Sequence, residues 1–133
     1  MENKTLLVHA VSAMNSSYSP YSNFRVGAAL LCKSGKIYKG CNIENAAYSA
    51  TICAERTAII EAVKNGERDF DAICIVGGKN GELTDYCYPC GECRQVLSEF
   101  CNKEMRVILF NGFTFKEITL EELLPHSFGG DCL

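Results

Sequence analysis

Two short stretches carry residue types that can hold a metal ion and move a proton: Cys53-Ala54-Glu55 and Pro89-Cys90-Gly91-Glu92-Cys93. Cys90-x-x-Cys93 spaces two sulfurs three residues apart at the start of an expected helix, so both lie on one face. The free N–H groups and the positive end of a helix's first turn favour thiolates, the form that binds zinc. Cys53 also stands at an expected helix start, so two helix N-termini can converge on one ion. Three thiolates leave a tetrahedral Zn2+ one open position, which is the pattern of a catalytic site; structural zinc is normally closed by a fourth protein ligand.

Glu55 turns metal binding into chemistry. Two residues past a ligand on a helix, its carboxylate lies near the metal without taking the ligand's place. There it can accept a proton from an activated water and return it to a substrate. Standing alone, Glu55 would read as a helix-start charge favoured by the dipole. Arg56 addresses a charge problem. Zinc with three thiolates carries a formal charge of about −1, which opposes ionisation of a water. A guanidinium donating to the sulfurs offsets that charge; the plainer reading is a solvated helix arginine. The cysteines have two other readings: a redox pair, which predicts the motif after the first strand, and a closed structural site with Cys87 as fourth ligand.

Several elements must position these groups. Leu6, Leu7, Ala10, Val11 and Met14 recur at helical spacing in residues 3–15. Ser16–Asn23 is a turn-rich loop, and the apolar runs Val26–Lys33 and Lys36–Asn42 flank Ser34-Gly35 as a hairpin. A polar loop follows over Asn42–Thr51. Cys53–Asn65 reads as a helix stopped by Gly66. Ala72–Val76 reads as a buried strand ending at Gly77-Gly78, and Gly91–Phe100 as a helix introduced by Pro89. Arg106–Phe110 and Thr114–Ile118 are strands either side of Asn111-Gly112, and Glu121–Leu124 is a short helix. This order implies an α/β fold, a mixed sheet with helices on its faces and a right-handed parallel crossover from Ala72 to Phe110.

The chain has 133 residues, 47% of them apolar, and reads as a single domain over 1–133. Its net charge is −3 and its 13 basic residues are scattered. That leaves no basic stripe for a nucleic-acid polymer and favours a small ligand. The apolar run Val26–Cys32 falls far short of the roughly 20 residues that span a bilayer. Glu2, His9 and Ser12 interrupt the N-terminal apolar stretch, so no signal-peptide core is expected and the reading is cytoplasmic, without a membrane partner. Nine cysteines, an odd number, then suggest metal binding or chemistry in a reducing compartment rather than disulfides.

Zinc deaminases as a class share a His-or-Cys, x-Glu, then Pro-Cys-x-x-Cys signature. The chain goes further and resembles cytidine deaminase of the small, three-cysteine type. The matching stretches are Tyr18–Leu30 (YSPYSNFRVGAAL), Gly40–Thr57 (GCNIENAAYSATICAERT), Tyr88–Val96 (YPCGECRQV) and the tail Leu123–Leu133 (LLPHSFGGDCL). The resemblance implies a three-layer α/β/α fold with a mixed five-stranded sheet. It implies Cys53, Cys90 and Cys93 as zinc ligands and Glu55 as proton shuttle. It further implies that Asn42 and Glu44 hold ribose hydroxyls. Asn can donate and accept, whereas an ionised Glu only accepts. Phe24 would contact the pyrimidine, and the backbone near Ala54 and Cys90 would hold the edge of the base. The implied assembly is a homotetramer with composite active sites, in which Phe128 enters a neighbour's pocket and Ala46 and Tyr48 lie near a subunit boundary. The implied reaction is hydrolytic deamination of cytidine and deoxycytidine, in pyrimidine salvage. Rivals are deamination of another aminopyrimidine nucleoside such as blasticidin S, polynucleotide editing, and a non-catalytic zinc-structured module. Ser19 departs from the family, which often has Cys there, and His126 and Cys132 vary from common forms. The remaining cysteines (Cys32, Cys41, Cys74, Cys87, Cys101 and Cys132) read as small buried hydrophobes.

Overall fold

The apolar run after the turn-rich loop becomes the strand around which everything else is built. In the computed structural model, which describes residues 3–133, that strand is β1 (Phe24–Cys32). The elements in chain order are α1 (Asn3–Met14), β1, β2 (Ile37–Cys41), α2 (Ala54–Lys64), β3 (Phe70–Lys79), α3 (Gly91–Phe100), β4 (Arg106–Phe110), β5 (Phe115–Thr119) and α4 (Leu120–Leu123). Single 3-10 turns lie at Tyr48–Ala50 and Gly130–Cys132. The sheet order is β2-β1-β3-β4-β5. Only β3 and β4 are parallel, from Ala72 opposite Arg106 to Ile75 opposite Leu109, and α3 lies on the connection between them.

β1 and β3 are apolar on both faces because both faces are covered. Ala28, Leu30, Ile73, Ile75, Val107 and Leu109 pack with Ala58, Ile59 and Ala62 of α2, Leu97 of α3 and Leu120 of α4. Their neighbours Ala29, Leu31, Ala72, Cys74, Val76 and Ile108 pack with Leu6, Ala10 and Met14 of α1. The result is the expected three-layer α/β/α arrangement with a mixed five-stranded sheet. No described helix is long and apolar enough to cross a membrane.

Several boundaries differ from the sequence reading, three of them for a reason the pairing or capping supplies. β3 runs through Gly77-Gly78 to Lys79, because β1 begins at Phe24 and supplies partners: Val26 for Gly77, Arg25 for Gly78 and Phe24 for Lys79. The stretch Asn42–Thr51 is not all loop, since Ile43 bridges to both Tyr18 and Ile52. Helix α4 begins at Leu120, one residue early, because Thr119 and Glu122 form a reciprocal capping box.

Two glycines let the outer layers close on the sheet. A Cβ on Gly27 would collide with Ala10 O and Met14 of α1, and one on Gly40 with Ala54 O, Thr57 Oγ1 and Ala58 N of α2. Helix α2 therefore lies hard against β2, and the Thr57 hydroxyl donates to Cys41 O at 3.0 Å. Gly40→Ala should push α2 off the sheet and cost about 1–3 kcal/mol, the range for overpacking. Urea denaturation measures this, with Gly130→Ala as control, because a Cβ there meets nothing within 4 Å.

Candidate active site

Both cysteine motifs sit where helices begin. Cys53 is the N-cap of α2 and Cys90 the N-cap of α3, each with extended backbone. Cys93 follows in the first turn of α3. The two helix starts bring their sulfurs together: Cys53 Sγ lies 3.8 Å from Cys90 Sγ, and Cys90 Sγ 3.4 Å from Cys93 Sγ. All three sulfurs lie within 4.8 Å of one another. Around a tetrahedral zinc with bonds near 2.3 Å, sulfurs sit about 3.8 Å apart, so this set fits the ion. Arg94 braces the motif, its Nε donating to Pro89 O at 2.7 Å and its Nη1 to Leu123 O at 2.7 Å.

Charge is arranged around the sulfurs. Arg56 Nη2 donates to Cys53 Sγ at 3.5 Å, and Nη1 pairs with Glu92 Oε2 at 3.2 Å. Hydrogen bonding from the Cys93 thiol, helped by Arg56, holds Cys53 well below the ordinary thiol range, at about 5. Cys93, the donor in that pair, is raised instead. Glu55, in the first turn of α2, is only 4% exposed. Burial raises its carboxyl to about 7 in the field of the protein groups alone, and the Cys53 charge adds to the rise.

Cys87 stands outside the three-sulfur group, and no four-cysteine set forms among the described residues. Its thiol is pushed up to about 12 by burial and by the charges of Glu55 and Cys53. It lies against bare Gly77, where an added Cβ would stand 2.9 Å from Cys87 Sγ, 3.1 Å from Phe24 Cε1 and 3.1 Å from Val26 Cγ2. Phe24 is thereby seated over the end of β3, with its ring partly exposed.

The Asn42–Glu44 segment is locked from both sides. Ile43 and Ile52 exchange backbone hydrogen bonds at 2.9 and 3.0 Å, which ties the segment to the residue just before Cys53. Glu44 Oε1 accepts from the backbone N–H of Tyr21 at 2.9 Å and of Ser22 at 3.1 Å, while the Ser22 hydroxyl donates to Oε2. These donors, the Ser22 hydroxyl foremost, lower the Glu44 pKa. Glu44 and Tyr48 line a cleft of about 310 Å³ with Tyr21, Ser22, Asn45 and Thr51. Ala54 is fully buried under the first turn of α2, whereas Ala46 is exposed. Phe128 does not join this group. It is exposed on the C-terminal segment, where Gln95 Nε2 donates to its carbonyl at 3.0 Å. Sequence reasoning missed Ser22, Gly77 and Arg94; each acts on a residue far along the chain or through its backbone, which leaves no local pattern.

The family model for the cytidine and deoxycytidylate deaminase zinc-binding region matches residues 1–109. The chain belongs to that family. A cytidine deaminase of Sporosarcina psychrophila is 47% identical to this family member over 134 residues, spanning 100% of this chain and 96% of its own length. One from Halalkalibacterium halodurans is 45% identical over 96% of this chain and 95% of its own. A blasticidin-S deaminase of Bacillus cereus is 38% identical over 75% and 74%. The crystal structure of cytidine deaminase from Burkholderia pseudomallei superposes with a TM-score of 0.90 at 41% identity, covering 96% of this chain and all of that one. Family and sulfur geometry together make Zn2+ the cofactor of this deaminase-family chain. The geometry predicts that purified protein carries about one zinc per chain and that Cys90→Ala loses it. Elemental analysis by mass spectrometry reads the difference.

Proposed function

We propose that this chain catalyses the zinc-dependent hydrolytic deamination of cytidine and deoxycytidine, giving uridine and deoxyuridine with release of ammonia. The observation that carries the reading is the pairing of a buried Glu55, in the first turn of α2, with the three-sulfur group formed where α2 and α3 begin. Relatives named as cytidine deaminases along almost the full chain support the substrate class.

In this reading Cys53, Cys90 and Cys93 hold Zn2+, which supplies a Lewis acid and a water that ionises near neutral pH. Arg56 offsets the thiolate charge through its contact with Cys53. Glu55 takes the proton of the water whose oxygen attacks C4 of the pyrimidine, delivers that proton to N3, and then helps move a proton to the departing amine. Burial, the main cause of its raised pKa, suits a carboxyl that both takes and returns a proton. Burial keeps bulk water from competing for the proton.

Phe24 meets the pyrimidine ring, and the backbone near Ala54 and Cys90 holds the edge of the base. Asn42 and Glu44 take a sugar hydroxyl between them. They sit two residues apart on an extended, doubly bridged segment, so their side chains share a face. A sugar hydroxyl matches this pair better than a phosphate, because an ionised Glu44 repels an anion. That favours free nucleosides over nucleotides and polynucleotides, in line with the net charge of −3. The three-sulfur group, with Cys87 outside it, favours an open catalytic site over a closed structural module.

The exposed Tyr48 and Phe128 fit a homotetramer in which Phe128 enters a neighbour's pocket and Ala46 and Tyr48 lie near the subunit boundary. The proposed setting is pyrimidine salvage in the cytoplasm, with residues 1–133 acting as one domain. Glu55→Gln should keep its zinc and lose at least about 100-fold in kcat on cytidine, the lower end for removing a general acid–base group. Loss of absorbance of the aminopyrimidine measures it, and near-normal turnover would falsify the shuttle role.

A further inference from the structure

We propose that Ser17 is a positioning residue: it fixes Asn42 as a hydrogen-bond donor and so makes the site select a substrate hydroxyl. The inference rests on the sugar-binding reading of Asn42 above.

Asn42 is 8% exposed, and its carboxamide is almost used up by protein. Oδ1 accepts from the Val26 N–H at 2.9 Å and from the Ser17 hydroxyl at 2.5 Å. Nδ2 donates to Phe24 O at 2.8 Å. The two strand contacts fix the amide's orientation, since a flipped amide would set NH2 against N–H and oxygen against carbonyl. An amide oxygen has two lone pairs and an amide nitrogen two protons. With Val26 and Ser17 filling Oδ1, one N–H of Nδ2 is all that remains to offer a ligand.

Ser17 supplies the bond that completes this state. It is 9% exposed and sits just past the end of α1, where its N–H reaches Met14 O at 3.1 Å. Its Oγ also lies 3.2 Å from Ser19 Oγ. Ser17 is 25 residues from Asn42 in sequence. It acts on substrate only through Asn42.

The consequence is a polarity filter. Asn42 offers only a donor, and Glu44, held ionised by Tyr21 and Ser22, offers only acceptors. A group seated between them must accept from one and donate to the other, and an alcohol does both. Without the Ser17 hydroxyl, Oδ1 regains a lone pair, the amide loses one of its three ties, and the filter weakens.

The test is steady-state kinetics of wild type, Ser17→Ala and Ser17→Thr on cytidine and its 2′-, 3′- and 5′-deoxy analogues, with zinc content and melting temperature in parallel. Wild type should lose most kcat/KM on the analogue lacking the hydroxyl that Asn42 and Glu44 hold. Ser17→Ala should raise KM for cytidine about 3- to 10-fold, the effect of one hydrogen bond, with kcat within about two-fold. It should also shrink the ratio between cytidine and that worst analogue by a similar factor, and Ser17→Thr should restore both. An equal loss on every substrate, or an unchanged KM, overturns the proposal. If Ser17→Ala folds poorly, Ser17→Thr against Ser17→Val makes the same comparison, because those side chains differ only by the hydroxyl. If wild type does not turn cytidine over, the catalytic reading fails on its own. Ser17 is then judged by calorimetric Kd for cytidine, where the same rise supports it and an equal Kd overturns it.

Discussion

Three sulfurs within 4.8 Å of one another set the terms for the rest of this structure. Three thiolates so close together repel, and a cation and oriented dipoles offset that charge. The fold answers by starting two helices at the same point. Cys53 and Cys90 are both N-caps, so the sulfurs lie at the positive ends of α2 and α3, and Arg56 adds a full charge beside Cys53. Hydrogen bonding from the Cys93 thiol, with Arg56 beside it, holds Cys53 well below the ordinary thiol range, at about 5.

Everything nearby serves to hold those two helix starts in place. α2 can approach β2 only because Gly40 has no side chain, and α3 follows the end of β3 through a loop that Arg94 clamps at Pro89. The site gathers at one end of the sheet. Phe24 opens β1 opposite Lys79 at the carboxyl end of β3, and Asn42 follows directly on β2, its N–H reaching Val26 O at 3.3 Å. Ligand sites in open α/β sheets form at such carboxyl ends, where loops and helix N-termini meet. The Ile43–Ile52 pair then couples the Asn42–Glu44 segment to the residue before Cys53, so that segment and the sulfur group share one frame.

The parts of this site that were readable in the sequence are those encoded locally. A cysteine at a helix start, a carboxylate two residues on, and a proline before Cys-x-x-Cys each occupy one turn of chain, and periodicity placed all the strands and helices around them. What could not be read was pairing across the chain. Gly77-Gly78 looked like a strand end, yet it is strand, kept bare because Cys87 and Phe24 press on Gly77 and the Glu82 carbonyl would collide with a Cβ on Gly78. Asn42 looked able to donate and accept, yet Val26 and Ser17 fill its oxygen, 16 and 25 residues away. The Thr119–Glu122 capping box is a local pattern, yet the sequence reading passed over it and started α4 one residue late, at Glu121.

The central claim is that this zinc centre has three sulfur ligands and one position left for chemistry. X-ray absorption spectroscopy at the zinc edge, on the purified protein free of substrate, tests it most directly. Three sulfur scatterers near 2.3 Å and one lighter oxygen or nitrogen scatterer at about 2.0–2.2 Å are the predicted result. Four sulfurs at equal distance would contradict it, because a closed site leaves no place for the water that the reaction consumes.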